Sequence, residues 1–244
     1  MRTLSPKRTL ANMVSRVLVY NSLWVLVALL LAAGGAATGA AQTSAQTSGK
    51  AAPVRIVVLG DSLAAGFQLK QSDAFPAQLE RALKARGHQV EVINAGVSGD
   101  TTAGGLERVA WSVPKGTDAV ILELGANDAL RGLDPARAKA NLDKIMTQVK
   151  AAGTEVLLAG MLAPRNWGEP YAQAFDAIYP GLAGKHGTLL YPFFLEGVVL
   201  DAKLNLGDGL HPNAKGVAEI VRRILPTVEE LIARVRARQA ASGG

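Results

Sequence analysis

Short apolar runs rich in β-branched residues recur along the chain from residue 54 onward. Each run is followed by polar or glycine-containing residues and is too short for a typical helix, so each predicts a strand. The runs are apolar almost throughout rather than alternating, which is typical of strands buried on both faces of a parallel sheet. They are Val54–Leu59, Val90–Asn94, Ala119–Leu124, Glu155–Met161 and Leu189–Phe193.

Stretches with helical periodicity lie between and after these runs. They predict helices over Ala74–Arg86, around Leu106–Trp111, over Pro135–Ala151, around Tyr171–Gly184 and from Asn213 to about Arg238. Pro226 lies inside the last stretch and predicts a kink or a break there. The alternation of strands and helices predicts an α/β domain whose parallel sheet is covered by helices on both faces.

The first 41 residues have the order of a secretory signal peptide. Residues 1–16 carry four positive charges, an apolar stretch covers 17–33, and small residues lead to Ala40-Ala41. We expect cleavage after Ala40 or Ala41, which would leave a periplasmic or secreted protein. An uncleaved anchor is the alternative, although the apolar stretch is shorter than the roughly 20 residues of a membrane span. We further expect a flexible linker over 42–53, one domain over 54–238 and a disordered tail over 239–244.

The net charge of the chain limits the classes of partner that we expect it to bind. The formal net charge is +6, from 26 Lys and Arg against 20 Asp and Glu. Four of the basic residues precede residue 42, so the mature chain has 22 against 20, a net charge of +2. We therefore expect no nucleic-acid partner. We also expect a monomeric protein. Contact between the basic C-terminal helix and an acidic membrane surface stays open.

The chain has no cysteine, which excludes disulfides, thiolate nucleophiles and cysteine-ligated zinc.

Four polar segments lie where chemistry is expected in a parallel sheet, beyond the carboxyl ends of the strands or just before the last helix. They are 60–63 (Gly-Asp-Ser-Leu), 94–100, 125–128 (Gly-Ala-Asn-Asp) and 208–213 (Asp-Gly-Leu-His-Pro-Asn). Ser62 is a candidate nucleophile with His211 as its base, and Asp208 can orient the imidazole from three residues away. Alternatively, Ser62 caps a helix and Asp208 is an ordinary turn residue.

An acyl-transfer site also needs donors for the developing oxyanion. Gly99 offers a backbone N–H, Asn127 offers its side-chain amide, and the N–H of Ser62 offers a third donor. Each of these, taken alone, could equally be a residue of an ordinary turn. The ordered combination of serine, glycine, asparagine and Asp-x-x-His at successive loops favours the catalytic interpretation.

These four blocks, in this order, resemble those of the SGNH (GDSL) hydrolases. The resemblance covers about residues 54–225 and is nearest to bacterial periplasmic thioesterase I, lysophospholipase and arylesterase-like enzymes. It implies a three-layer, flavodoxin-like α/β/α fold with a five-stranded parallel sheet. It also implies a triad of Ser62, Asp208 and His211, an oxyanion hole of Ser62, Gly99 and Asn127, and no metal or cofactor.

The expected substrates are small-molecule carboxylic esters, with aryl, acyl or lysophospholipid groups, and acyl thioesters. We expect Asp61, Leu63, Leu130 and Trp167 to contact the substrate, although Trp167 could instead pack in the core. Three other functions stay open. Carbohydrate O-deacetylases share the four blocks, a non-catalytic domain could bind an anion with the same loops, and a metallophosphoesterase would need more metal ligands than one plausible histidine provides.

Overall fold

The computed structural model describes residues 52–242. The predicted signal peptide and all but the last two residues of the predicted linker lie outside this range. Five parallel strands form one sheet in the order β2-β1-β3-β4-β5. They are β1 (Val54–Gly60), β2 (Val90–Gly96), β3 (Ala119–Glu123), β4 (Glu155–Ala159) and β5 (Leu189–Tyr191).

Helices cover the two faces of this sheet. Helix α2 (Phe75–Ala85) packs against α8 (Ala214–Ser242) on one side, whereas α5 (Pro135–Ala151) packs against α3 (Thr102–Ser112) and α7 (Ile178–His186) on the other. The predicted three-layer α/β/α architecture with a five-stranded parallel sheet is confirmed. The helices are α1 (Ser62–Ala65), α2 (Phe75–Ala85), α3 (Thr102–Ser112), α4 (Ala126–Leu130), α5 (Pro135–Ala151), α6 (Glu169–Asp176), α7 (Ile178–His186) and α8 (Ala214–Ser242).

The central strands form the core of the protein. Every residue of β3 is buried, and β1 is buried except at Arg55. This is the burial that the uninterrupted apolar runs predict. Strand β2 differs because it lies at an edge of the sheet, and only its first residue, Val90, is fully buried.

The helix expected around Tyr171–Gly184 is two helices that meet at Ala177. Pro180 explains the break, because a proline has no N–H for the carbonyl four residues earlier and its ring crowds that carbonyl. The carbonyl in question belongs to Asp176, the last residue of α6.

Of the kink or break expected at Pro226, a break does not occur, since α8 runs without interruption through this residue. The helix also continues to Ser242, so residues 239–242 are helical and not the disordered tail that we expected. Hydrogen bonds hold this end against the amino-terminal edge of the sheet. Arg238 donates to the carbonyls of Gly153 and Asp118, and Gln239 donates to the Asp118 carboxylate at 3.0 Å.

Pro226 is exposed within this continuous helix, so we expect Pro226→Ala to stabilise the protein. Alanine restores an N–H for the helix ladder and removes the clash of the ring, although it also loosens the unfolded chain. The net gain should be about 1–2 kcal/mol in the free energy of unfolding, measured by urea denaturation. Glu230→Ala, an exposed control on the same helix, should change the stability by less than about 0.5 kcal/mol. An unchanged or lower stability of Pro226→Ala would contradict this expectation.

Candidate active site

The turn between β1 and α1 presents Ser62 at the carboxyl edge of the sheet. Gly60 allows this turn, because a Cβ there would lie 2.5 Å from Oε2 of Glu123 and 2.6 Å from the Cβ of Ala64. Asp61 caps α1 by accepting a hydrogen bond from the N–H of Leu63 at 3.0 Å. Ser62 follows as the first residue of the helix and keeps 8% of its surface exposed.

The loop before α8 brings a histidine and a carboxylate to Ser62. His211 Nε2 lies 2.9 Å from Ser62 Oγ, and His211 Nδ1 lies 2.7 Å from Asp208 Oδ2. Asn213 anchors the loop, because its amide oxygen accepts hydrogen bonds from the first turn of α8 and its amide nitrogen donates to the carbonyls of Lys203 and Asn205. The three residues predicted as a triad are therefore joined in one hydrogen-bonded chain.

The Asp208 carboxylate is held in its ionised form by donors from its own loop. The N–H groups of His211 and Leu210 donate to Oδ1 at 3.0 and 2.9 Å. These two hydrogen bonds, followed by the one to the imidazole, lower the pKa of Asp208 to about 2. An anion facing Nδ1 keeps the proton on that nitrogen, which leaves Nε2 free to accept the proton of Ser62.

Phe67 also contacts the imidazole, and the sequence did not single it out. Its ring centroid lies 4.5 Å from that of His211, with the planes tilted by 36°. Phe67 follows Gly66, which ends α1 in the left-handed conformation at φ 81°. The glycine after a short helical segment is a signal for such a turn, but it does not indicate what the next side chain contacts.

Asn127, on α4, lines the same groove as Ser62 and His211. Its Nδ2 donates to Asp61 Oδ2 at 3.1 Å, and its Oδ1 accepts from Arg131 Nη2 at 3.4 Å. The same Nη2 donates to the carbonyl of Gly99 at 2.9 Å. Arg131, which the sequence did not single out, therefore connects the loop that carries Gly99 to Asn127 on α4. Gly99 itself is exposed, with φ 84°.

Two buried charged residues hold the segments around Ser62, Gly99 and Asn127 together by hydrogen bonds. Arg108 on α3 donates to the carbonyls of Gly60 and Ala95, both at 2.7 Å, and to the carboxylate of Asp100 at 2.6 Å. Asp128 accepts from the N–H and the hydroxyl of Thr102 at 2.8 and 2.7 Å. Arg108 thus joins the turn before Ser62 to the loop after Gly99, and Asp128 joins that loop to α4.

A groove of about 480 Å³ opens beside Ser62 and His211. Leu63 and Leu130 line it, as we expected of substrate contacts. Most of its surface is apolar and comes from the loops after β4 and β5 as well as from α4. Further apolar side chains along it are Met161, Leu162, Leu195, Val199, Leu200 and Leu210.

The structure places the other two expected substrate contacts elsewhere. Asp61 is completely buried, with both carboxylate oxygens turned to protein donors, because the residue next to Ser62 points into the domain. Trp167 is half exposed but does not line the groove. Its indole N–H donates to the carbonyl of Ala129 at 2.9 Å, and its ring covers Gly132. Both expectations are therefore corrected.

Within residues 52–242, no group of three or more His, Cys, Asp or Glu side chains is placed to hold a metal ion. Cysteine is missing from the whole sequence.

Comparisons with known proteins identify the family. Residues 58–219 match the model of the GDSL-like Lipase/Acylhydrolase family. The chain is 38% identical to Esterase TesA of Pseudomonas aeruginosa over 184 residues, which cover 75% of this chain and 92% of that protein. It is 41% identical to Thioesterase 1/protease 1/lysophospholipase L1 of Escherichia coli over 164 residues, covering 67% and 77%.

A solved structure gives the same result. The crystal structure of AlinE4, described as an SGNH-hydrolase family esterase, superposes with a TM-score of 0.62 at 44% sequence identity. The match covers 73% of this chain and 96% of AlinE4. The chain belongs to the GDSL-like lipase/acylhydrolase family of SGNH hydrolases.

Proposed function

We propose that this protein is an exported serine esterase that hydrolyses acyl and aryl esters, lysophospholipids and acyl thioesters. The observation that carries this proposal is the chain of hydrogen bonds from Asp208 through His211 to Ser62 Oγ beside an apolar groove. Ser62 is the nucleophile and His211 its general base, and Asp208 orients the imidazole and stabilises the imidazolium.

The reaction proceeds in two acyl transfers. His211 takes the proton of Ser62 as the oxygen attacks the carbonyl carbon, and the oxyanion is stabilised by the N–H groups of Ser62 and Gly99 and by the amide of Asn127. His211 then protonates the leaving alcohol or thiol. Water repeats both steps on the acyl-enzyme, which releases the acid. The N–H of Gly99 supports this role, because nothing in residues 52–242 accepts a hydrogen bond from it.

The groove supports an apolar acyl chain as the group that is recognised. Burial of one CH₂ is worth about 0.8 kcal/mol, which corresponds to roughly a fourfold change in an equilibrium constant. A groove lined mainly by aliphatic side chains can therefore favour longer acyl chains over acetyl. A carbohydrate O-deacetylase, the alternative within the family, would gain little from such a groove.

The first experiment is hydrolysis of p-nitrophenyl esters from acetyl to palmitoyl by the chain without residues 1–41, beside Ser62→Ala. We expect turnover by the wild type, a preference for chains longer than acetyl, and a loss of about 10⁴-fold or more in kcat for Ser62→Ala. Equal activity of the two proteins would exclude Ser62 as the nucleophile. A strict preference for acetyl would favour the deacetylase, and inhibition by a chelator would favour a metal-dependent enzyme.

A substitution at Leu162 tests directly whether the groove binds the acyl chain. It is exposed by 44% and lines the groove, so the larger side chain in Leu162→Trp should fill part of the space for the acyl chain. We expect the ratio of kcat/KM for decanoyl over acetyl esters to fall by about 10-fold, the equivalent of one to two buried CH₂ groups. Leu133→Trp is the matched control, because Leu133 is 41% exposed but does not line the groove. A ratio that falls equally in both variants would speak against this acyl site.

The proposal that the protein is exported rests on the order of charged, apolar and small residues in 1–41. Within residues 52–242, no helix is both long enough and apolar enough to cross a membrane. We expect the full chain, expressed in a Gram-negative host, to be released from the periplasm by osmotic shock. Mass spectrometry should place its new N-terminus at Ala41 or Gln42. Recovery of the intact chain in the membrane fraction would support an uncleaved anchor instead.

A further inference from the structure

Within residues 52–242, nine large hydrophobic side chains are exposed, and eight of them lie at one end of the domain. Each of the eight belongs to a connection that leads from the carboxyl end of a strand to the next long helix. The exception is Trp111, near the end of α3, which leads back to the amino end of β3. Exposed apolar side chains that gather in one region mark a surface that contacts another molecule or a membrane.

Five of these side chains surround the opening of the groove beside Ser62, and we call them the apolar rim. They line the groove and are nevertheless exposed by 44% to 88%. The rim residues are Leu130, Leu162, Val199, Leu200 and Leu210.

Leu133 and Trp167 extend the apolar surface outward from the rim. The Trp167 ring lies over Gly132, and the neighbouring Tyr171 donates a hydrogen bond to the carbonyl of Leu133 at 2.9 Å. Both side chains are exposed, and neither lines the groove. The apolar surface is therefore larger than the groove that it surrounds.

Leu200 is the most exposed member of the rim, at 88%, and its backbone is left-handed, with φ 64°. A residue with a Cβ adopts this conformation at a cost in free energy. Within residues 52–242, Gln68 is the only other non-glycine residue with a positive φ. In water, a leucine that projects in this way gains almost nothing from packing on the protein. An apolar medium outside the protein would compensate for both the exposure and the conformation.

The position of the rim around the groove decides what kind of partner can cover it. A protein seated on the rim would close the groove to substrate, whereas a lipid surface contains acyl chains and can deliver them into it. We propose that the apolar rim, with Leu133 and Trp167, docks on the surface of a phospholipid bilayer, so that an acyl chain passes from the bilayer into the groove. The proposal rests on the acyl-ester hydrolysis proposed above. A half-exposed tryptophan beside the rim fits it, since tryptophan side chains concentrate at membrane–water interfaces.

The exposed charges in the same connections are of both signs, so attachment through this end depends on apolar contact more than on anionic lipid. They include the basic Arg131, Arg165 and Lys203 and the acidic Asp134, Asp201 and Asp208. The last turns of α8, at the other end of the domain, differ in this respect. Residues 231–244 contain three Arg and no Asp or Glu, so a membrane contact there would need anionic lipid and would weaken with salt.

Two tryptophans report which end of the protein meets the lipid. Removal of residues 1–41, whose apolar stretch would bind lipid by itself, leaves Trp167 beside the rim and Trp111 at the other end. Each is observed alone, in Trp111→Phe or Trp167→Phe, with Ser62→Ala added so that the lipid is not hydrolysed. With phosphatidylcholine vesicles, we expect the emission of Trp167 to move to shorter wavelength and to be quenched by lipids brominated in their acyl chains. The emission of Trp111 should not respond.

Charged substitutions test whether the named side chains make the contact. In the Ser62→Ala background, Leu200→Glu and Leu133→Glu should each weaken sedimentation with these vesicles by about tenfold, the equivalent of one to two buried CH₂ groups. Trp111→Glu is the matched control, because it places the same charge on an exposed apolar residue at the other end of the domain. It should bind vesicles as its parent does.

Leu133 also separates docking from catalysis, since it does not line the groove. In the otherwise wild-type enzyme, Leu133→Glu should leave kcat/KM for dissolved p-nitrophenyl butyrate unchanged. Hydrolysis of p-nitrophenyl palmitate carried in the vesicles should fall by about tenfold, in step with the loss of binding. An equal loss on both substrates would show that Leu133 acts on the catalytic site and would contradict the docking role.

Three further results would each overturn the proposal. The first is a failure of the Ser62→Ala protein to bind phosphatidylcholine vesicles. The second is a response of Trp111 in place of Trp167, with binding that requires phosphatidylglycerol and is lost at high salt, which would assign the contact to the basic end of α8. The third is a dimer in sedimentation velocity that Leu133→Glu dissociates, which would assign the rim to a second copy of the chain.

The binding measurements are independent of the proposed hydrolysis, because they use Ser62→Ala. An inactive wild type, or a Ser62→Ala variant as active as the wild type, would overturn the proposed function. The vesicle measurements would then still decide whether this end of the protein docks on lipid.

Discussion

The hydrogen bond between Ser62 Oγ and His211 Nε2 joins residues that are 149 positions apart. It forms only if the first strand and the loop before the last helix meet at the same edge of the sheet. Parallel pairing of β1, β2 and β3 provides that edge, because it aligns the ends of all three strands. The turn that carries Ser62 packs closely on β3, because a Cβ at Gly60 would lie 2.5 Å from Oε2 of Glu123. The geometry of the reaction thus depends on the register of the central strands.

Buried polar groups connect the loops at this edge by hydrogen bonds. The carbonyl of Gly60 accepts from the N–H of Val97 across the strands. Arg108 adds donors to this carbonyl and to that of Ala95, while its own charge is paired with Asp100. Charges are tolerated in such a place only when they are fully partnered. A loop that carries an oxyanion donor must stay within about 0.5 Å of its productive position. Bonds of this kind hold it more firmly than apolar packing could, since they are directional.

The sequence was sufficient for the sheet and for the three residues that the structure joins by hydrogen bonds, Ser62, His211 and Asp208, because both leave local signals. Apolar runs mark the strands, three of the four blocks lie at the ends of such runs, and the fourth directly precedes the last helical stretch. Helices α1 and α4 were missed because four or five residues are too few to show periodicity. A break was expected at Pro226, but a proline on the exposed face of a long helix can be tolerated when the rest of the helix is packed.

Asp61 and Trp167 were misplaced for another reason. Proximity in sequence to Ser62 or to a loop does not determine which way a side chain points. The roles of Arg108 and Arg131 in holding the loops could not be predicted. In the sequence, such an arginine cannot be distinguished from a solvent-exposed one until its hydrogen-bond partners are known.

Helix α8 runs along the strands, from the carboxyl end of the sheet to its amino end. It begins three residues after His211 and is tied at its far end to Asp118 and Gly153, which adjoin the amino ends of β3 and β4. Its 29 residues correspond to about 43 Å of helix. A chain whose synthesis stops before residue 211 carries Ser62 without its hydrogen-bond partner, since the two residues are 149 positions apart. The proposed activity therefore requires the carboxyl-terminal part of the chain to be present and packed on the sheet.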